Sequence, residues 1–386
     1  MIKNVKLKVF LQKYLFSILS TINRVLPHRK DMIMLYSNSG LRDNIKSLYD
    51  YLVEEEYFKQ YIIVCSSNDH NGYVNRQIPN VRFVSNIKGI LYFFRAGYVY
   101  YCFGKLPIIP GKKQKVIQMW HGCPFKAPDE GMLKGHSWDK QYYTNVFSTS
   151  QHFAPFWSYA FSIPKENVII NGQPRCDDLF KESPHYNFGN YKKLILWTPT
   201  FRKSKITGYS DTCEHDDIVP VIKMEEFAYV NSKLKELGVK IIVKLHPLQD
   251  LDKYKLFEMD SFILMSNSEF VKRGMELYRL MSQCDALITD YSSIFFDFLL
   301  LNRPIAFTED DVEDYGNTRG YAFENPDSYK PGYRIKTKDD LLSFAEDVVN
   351  EKDEYIEERK RVLALSNDFR DGQFCKRALI SVGIIR

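Results

Sequence analysis

Two histidines each close an apolar run. His121 follows 116–119 in Gln118-Met119-Trp120-His121-Gly122-Cys123-Pro124-Phe125-Lys126, and His246 ends Lys240-Ile241-Ile242-Val243-Lys244-Leu245-His246-Pro247. Imidazole is the side chain best matched to proton transfer near neutral pH, and the turn residues after each histidine hold it at a strand end. A lone loop histidine is ordinarily a hydrogen-bonded structural residue. Two at equivalent strand ends, in separate halves of the chain, are harder to dismiss.

Around them lie groups suited to phosphate. Alternation puts Lys244 on the same side of its strand as His246. A lysine in an apolar strand needs a counter-charge, either a bound phosphate or a carboxylate from elsewhere. Leu194-Ile195-Leu196-Trp197-Thr198-Pro199-Thr200-Phe201-Arg202 ends in two hydroxyls and a guanidinium fork. The stretch 286–298 reads as strand, tight turn and helix N-terminus. Its apolar run 286–288 leads into Thr289-Asp290-Tyr291-Ser292-Ser293, and Ile294, Phe295, Phe298, Leu299 and Leu301 follow at helical spacing. Ser292 or Ser293 suits the N-cap, and the free amides of a first turn suit a phosphate. The plain alternative is a cap in an ordinary α/β unit. Asn171-Gly172-Gln173-Pro174-Arg175-Cys176-Asp177 is a turn whose Arg175 and Asp177 read either as ligands or as a surface pair. Arg303 and Arg319, beside Pro304 and Gly320, add cations that solvent alone would also satisfy.

The elements that must position these residues alternate. Strands are expected at 32–36, 61–65, 81–84, 98–102, 116–119, 146–149 and 168–170, then at 194–198, 240–245, 286–289 and 304–307. Helical patterns lie between them, for example 44–56, 86–96, 225–237 and 275–284, with closing helices at 341–349 and 353–365. Such alternation predicts two parallel sheets covered by helices on both faces. Pro184 and Gly189 in a stretch poor in apolar residues place a boundary near 185. The expected division is a helix at 1–30, a Rossmann-like domain at 31–185 and a second at 186–386. Two such halves facing a central cleft would bind ligands at the carboxyl ends of their strands.

At 386 residues, 45% apolar and 26% charged, the chain is long enough for two full cores. A net charge of +5 is not a nucleic-acid signature, and it suits anionic substrates or an anionic membrane surface. Seven cysteines, without a C-x-x-C, read as reduced thiols rather than a disulfide framework, and no structural zinc spacing occurs. No acidic residue precedes Asp31, while Leu7, Leu11, Tyr14, Leu15, Ile18, Ile22 and Val25 share one side of a helix. The apolar run between Lys13 and Arg24 is too short to span a bilayer, and no secretory cleavage site follows it. Two readings stand: a basic amphipathic helix in the cytoplasmic membrane interface, or a first helix packed on the domain with its lysines in water.

Taken in order, these pieces resemble the CDP-glycerol glycerophosphotransferase family of teichoic acid polymerases and primases. The matching motifs are Trp120-His121-Gly122-x-Pro124-x-Lys126, Gly172-x-Pro174-Arg175-x-Asp177, Thr198-Pro199-Thr200-x-Arg202, Lys244-Leu245-His246-Pro247 and Thr289-Asp290-Tyr291-Ser292-Ser293-x-x-x-Asp297, completed by Arg303-Pro304 and Arg319-Gly320. They cover about half of the chain; 1–110 carry none.

The resemblance implies a GT-B fold and transfer of glycerol phosphate from CDP-glycerol, or ribitol phosphate from CDP-ribitol, to a hydroxyl of an undecaprenyl-linked glycan, with CMP leaving. It implies a peripheral enzyme on the cytoplasmic face of the membrane. Its essential histidines fall on His121, as base, and on His246. Gly122, Lys126, Arg175, Thr198, Thr200, Arg202, Lys244, Asp290, Tyr291, Ser292, Ser293, Asp297, Arg319 and Gly320 are the implied substrate contacts. No cofactor is required, and Asp290 and Asp297 leave room for Mg2+. Cys123 stands where the polymerases lead one to expect Thr. The chain also lacks their long N-terminal region, which suits a primase or repeat-unit transferase as well as a polymerase. A GT-B glycosyltransferase using a nucleotide sugar and a non-catalytic scaffold are the rival classes.

Overall fold

The computed structural model describes residues 5–127, 142–200, 219–245, 259–309, 312, 315–316 and 320–386, with side chains from residue 14 onward apart from Asn267. Strands β1 Arg29–Ser37, β2 Ile62–Ser67, β3 Val81–Val84, β4 Ala96–Tyr101, β5 Lys115–Gln118, β6 Asn145–Ser148 and β7 Val168–Ile170 form one sheet in the order β3-β2-β1-β4-β5-β6-β7. Strands β8 Lys193–Thr198, β9 Val239–Lys244, β10 Phe262–Met265, β11 Ala286–Thr289, β12 Ile305–Thr308 and β13 Tyr333–Ile335 form a second, in the order β10-β9-β8-β11-β12-β13. Neighbouring strands run parallel throughout both. In each sheet the strand order reverses beside the first strand, between β1 and β4 and between β8 and β11, which is the doubly wound topology.

The strands are apolar on both faces because both faces are covered. Along β1, Met32, Met34 and Tyr36 enter one core, while Ile33 and Leu35 enter the other. Helix Asp43–Glu54 buries Ile45, Leu48, Tyr49 and Leu52, a single stripe at helical spacing, against the second of these. In the second sheet Ile195, Trp197, Ile241, Val243 and Ile288 pack with helices Phe227–Leu237 and Lys338–Val349.

Every strand expected from the sequence forms, with ends moved by a few residues. Two were missed, β10 and β13. Both are short edge strands; β13 has Arg334 at its centre, which interrupts its apolar run, while β10 is a four-residue apolar run that the sequence reading passed over. The chain divides into two compact units, 1–121 with 128–177 and 368–386, and 122–127 with 178–367. This corrects the expected 31–185 and 186–386 in two places. The segment 122–127 belongs with the second sheet, and the C-terminal helix Phe374–Ile380 returns to the first. There Cys375, Ala378 and Leu379 enter the core, and the Tyr100 hydroxyl donates to the Ala378 carbonyl at 2.9 Å.

The first helix, Val5–Val25, is packed on its unit by one face. Phe16 and Leu19 join the core, and the buried Asn23 amide donates to the Ile109 carbonyl and the Gln114 side chain, both at 2.9 Å. Its other face is apolar and open: Ile18 is 61% exposed and Val25 80%, with Leu15 and Ile22 also exposed. No described helix is long and apolar enough to cross a membrane.

Candidate active site

In the first unit, polar side chains gather at the carboxyl ends of β1, β4 and β5. Asp43 and Asn44 follow β1, Cys102 and Phe103 follow β4, Trp120 and His121 follow β5, and Gln173 and Arg175 come from the turn after β7. Asp43 (φ +59°) and Trp120 (φ +58°) hold left-handed backbone without being glycine. Such conformations cost about 1–3 kcal/mol each and persist only when neighbours enforce them. The neighbours are present. The Trp120 carbonyl accepts from Asn44 Nδ2 at 2.9 Å and from Cys102 Sγ at 3.1 Å, and Asn44 Oδ1 accepts the Arg175 N–H at 3.1 Å. Arg175 Nη1 donates to both oxygens of Asp43 at 2.8 Å and to the His121 carbonyl at 3.1 Å.

This frame sets the His121 ring, which stacks on Trp120 (centroids 4.2 Å apart) and Phe103 (4.9 Å). Nδ1 is buried with no hydrogen-bond partner among the described residues. Burial pushes the imidazole below its ordinary pKa of 6.5. The Asp43 carboxylate and the Cys102 carbonyl oppose that shift, and Arg175 reinforces it. His121 is therefore neutral at pH 7 and able to accept a proton. Arg42 is exposed, with its guanidinium 5.7 Å from the Phe103 ring centroid, and is a cation that the sequence reading passed over.

Two expectations change here. Arg175 is buried and turned inward onto Asp43 and His121 rather than presented as a phosphate contact. Nor does it pair with Asp177, whose carboxylate instead accepts the N–H groups of Phe374 and Cys375 at 2.7 and 2.9 Å.

In the second unit the reversal between β8 and β11 brings Thr198 and Thr200 to the 289–293 turn. The Thr289 hydroxyl donates to the Thr198 carbonyl at 3.0 Å. Asp290, 1% exposed, accepts the Thr200 N–H at 2.7 Å, the Thr200 hydroxyl at 2.9 Å and the Tyr291 N–H at 2.6 Å. Asp290 therefore shapes the turn from inside. Asp297 is buried and accepts the Tyr278 hydroxyl at 2.5 Å. Protein donors thus reach both carboxylates. No group of three or more potential metal-binding side chains forms among the described residues.

Tyr291 stacks on Tyr315 with ring centroids 3.6 Å apart, and Lys126 Nζ lies 5.8 Å from the Tyr315 ring. Lys126 is held there because its segment is part of this unit. Phe125 packs edge-on against Phe295, the Ala127 N–H reaches the Gly320 carbonyl at 3.1 Å, and Lys126 bridges to Tyr321. Gly122, Lys126, Tyr291 and Gly320 thus share one unit with the 289–293 turn, while His121 ends the other. Ser293 occupies the N-cap of helix Ile294–Phe298 but makes no side-chain cap bond, and Ser292 Oγ accepts the Ile294 N–H at 3.4 Å. Half-buried Lys244 ends β9, with Nζ 5.4 Å from the Phe270 ring. Arg303 is spent on the carbonyls of Ser282 and Cys284. Arg202, His246 and Arg319 lie outside the described residues.

Two doubly wound parallel sheets, each with polar side chains beyond its carboxyl edge, define a GT-B-like α/β architecture. The chain belongs to the CDP-Glycerol:Poly(glycerophosphate) glycerophosphotransferase family, whose profile matches residues 18–382. It is therefore an enzyme of the transferase class. It is 27% identical over 412 residues to the teichoic acid ribitol-phosphate primase of Bacillus spizizenii, covering 96% of both chains. It is also 27% identical over 353 residues to the teichoic acid poly(ribitol-phosphate) polymerase of the same organism, where it spans 86% of its own length but only 53% of the polymerase. The solved wall teichoic acid polymerase TagF has the same fold, with a TM-score of 0.71 over 98% of this chain and 96% of that one, at 19% identity.

Proposed function

We propose that the protein transfers glycerol phosphate from CDP-glycerol to a hydroxyl of an undecaprenyl-linked glycan, releasing CMP, in the synthesis of a teichoic acid or capsular polymer. The observation that carries this reading is the His121 ring, stacked between Trp120 and Phe103 and set at a strand end by strained and hydrogen-bonded backbone. His121 takes the proton of the acceptor hydroxyl as its oxygen attacks the phosphorus that bears glycerol. The bond from that phosphorus to the bridging oxygen breaks, and CMP leaves with the electron pair. Phosphoryl transfer of this kind needs positioning and positive charge more than covalent catalysis. Lys126, Lys244, Ser292, Ser293 and Gly320 supply contacts to the donor phosphates. Thr198, Thr200 and Asp290 hold the turn, and Asp297 supports the helix behind it. By the resemblance of their motifs, Arg202, His246 and Arg319 are proposed as further donor contacts.

A second donor, CDP-ribitol, is favoured by a specific observation: both relatives described above act on ribitol phosphate by name. The enzyme would work at the cytoplasmic face of the membrane as a peripheral protein, since its acceptor is lipid-linked and the open face of helix Val5–Val25 is apolar. The test is nucleotide release from CDP-glycerol, CDP-ribitol and a panel of nucleotide sugars with a lipid-linked acceptor. CMP from one CDP-alditol supports the proposal and names the donor. A nucleoside diphosphate from a sugar donor replaces it with glycosyl transfer.

A further inference from the structure

Arg42 is the last residue before helix Asp43–Glu54. Its guanidinium carbon lies 5.7 Å from the centroid of the Phe103 ring, and the His121 ring stacks on that same ring at 4.9 Å. One aromatic side chain therefore has the proposed base and an arginine as neighbours. Arg42 is exposed and forms no ion pair among the described residues. Proton transfer to His121 makes no use of it.

The two carboxylates tied to this loop are already engaged. Asp43, the next residue, accepts from buried Arg175 on both oxygens at 2.8 Å. Asp69 accepts the Leu41 N–H at 3.0 and 3.1 Å and the Ser67 hydroxyl at 2.6 Å. These bonds also fix the backbone on either side of Arg42. Leu41 is buried, Asp43 is held in left-handed backbone, and the Arg42 carbonyl accepts the Lys46 N–H at 3.4 Å. The main chain of Arg42 is thus anchored while its side chain stays open to solvent, beside the base and without a counter-charge.

A guanidinium offers a planar fork of donors that matches phosphate oxygens. Lys126 and Lys244, the cations assigned to the donor phosphates, belong to the second unit, whereas Arg42, Phe103 and His121 belong to the first. The phosphate that Arg42 suits is therefore one on the acceptor. In a terminal glycerol phosphate the free primary hydroxyl and the phosphorus are separated by three carbons and an oxygen, roughly 6 Å when extended. With the hydroxyl at His121, that reach carries the phosphate along the Phe103 ring toward Arg42. A neutral sugar end would use the aromatic faces and leave the guanidinium unpaired. We propose that Arg42 binds the phosphodiester next to the acceptor hydroxyl, so that the enzyme prefers an acceptor already ending in alditol phosphate over one ending in a neutral sugar. The inference rests on the phosphotransfer reading and names the acceptor class of the same site.

The experiment compares two soluble acceptors, one glycan with and without a terminal glycerol phosphate, by CMP release from a CDP-alditol and by calorimetric binding to the full chain. Wild type should show the higher kcat/KM with the phosphate-ended acceptor. Arg42→Ala should lower that value about 10- to 100-fold, through the acceptor KM, with the donor KM unchanged. It should lose far less on the neutral-ended acceptor, a split that a folding defect or a damaged His121 frame would not give. Arg42→Lys should recover part of the loss. Lys105→Ala removes a cation two residues from Phe103 whose Nζ lies 4.9 Å from the Tyr142 ring centroid, and it should leave the preference in place. Equal loss on both acceptors, no loss on the phosphate-ended one, or a wild type that favours the neutral end would overturn the assignment. If wild type releases no CMP with either acceptor, the phosphotransfer reading fails and binding decides Arg42 separately. Tighter binding of the phosphate-ended acceptor to wild type than to Arg42→Ala would then support its role, and equal binding would refute it.

Discussion

Arg175 Nη1 holds both carboxylate oxygens of Asp43 at 2.8 Å while the same nitrogen reaches the main-chain oxygen of His121 at 3.1 Å. The guanidinium thus ties the loop after β1 to the backbone of the proposed base. Asp43 sits in left-handed backbone at the first residue of its helix, and the ion pair is one of the interactions that keeps it there. Arg175→Ala should cost about 3 kcal/mol, because it leaves a largely buried carboxylate without its partner. It should also lower kcat with little change in the KM for the donor. Arg175→Lys should recover part of the stability but less of kcat, since an ammonium on a flexible stem does not keep the fixed planar geometry that reaches Asp43 and His121 together. Chemical denaturation and initial-rate kinetics on both variants check this.

The acid limb of the kcat/KM profile should fall below pH 6.5, the ordinary value for imidazole, because burial lowers the His121 pKa. Activity is present where the ring is neutral and disappears as pH falls through the depressed value. The stability effect has the same sign. The unfolded chain takes up the proton first, so folding weakens as pH drops from about 6.5 toward the folded-state value. Asp43→Asn removes a carboxylate that favours the imidazolium, and should move the limb further toward acid. NMR titration of the ring with the rate profile decides it, and a limb moving toward alkali would reverse the assigned electrostatics.

Gly172 at φ +92° leaves no room for a side chain, since a Cβ there would meet Phe374 Cδ1 at 2.4 Å. Gly172→Ala should destabilise the first unit by about 2 kcal/mol or more and loosen the return of helix Phe374–Ile380. Thermal unfolding and amide exchange on that helix measure both effects.

Asp290→Asn should raise the KM for the CDP-alditol about tenfold and leave the His121 titration in place. The variant loses part of the acceptor set that fixes Thr200 and Tyr291, while the first unit is untouched. A shift of the His121 pKa in this variant would contradict the assignment of Asp290 to the donor turn.

The strands and the order of motifs were legible because buried parallel strands are apolar runs bounded by turns, and 286–298 is a clear instance. His121 and the 289–293 turn were legible for the same reason: each follows a run that ends abruptly. What was not legible is long-range pairing. Asp43 and Arg175 stand 132 residues apart, so no local pattern joins them. The polar loop after β1 was the available signal, since the end of a first strand is where doubly wound sheets bind ligands. Arg175 and Asp177 looked like partners by proximity, yet each is satisfied by a remote segment. Tyr315 emerged only when the fold stacked it on Tyr291. Of the two readings of the first helix, packing holds for the face that carries Phe16, Leu19 and Asn23, and the membrane-facing one stays a proposal for the exposed face.

The most direct measurement is CMP release from CDP-glycerol and CDP-ribitol by wild type and His121→Ala, each with a lipid-linked acceptor and with donor binding titrated in parallel. The account predicts CMP from wild type with one of the two donors, a kcat lower by about 10²–10⁴ in His121→Ala, and nearly equal donor affinity. Undiminished CMP release by His121→Ala, or a loss confined to donor binding, would contradict the assignment of His121 as the base.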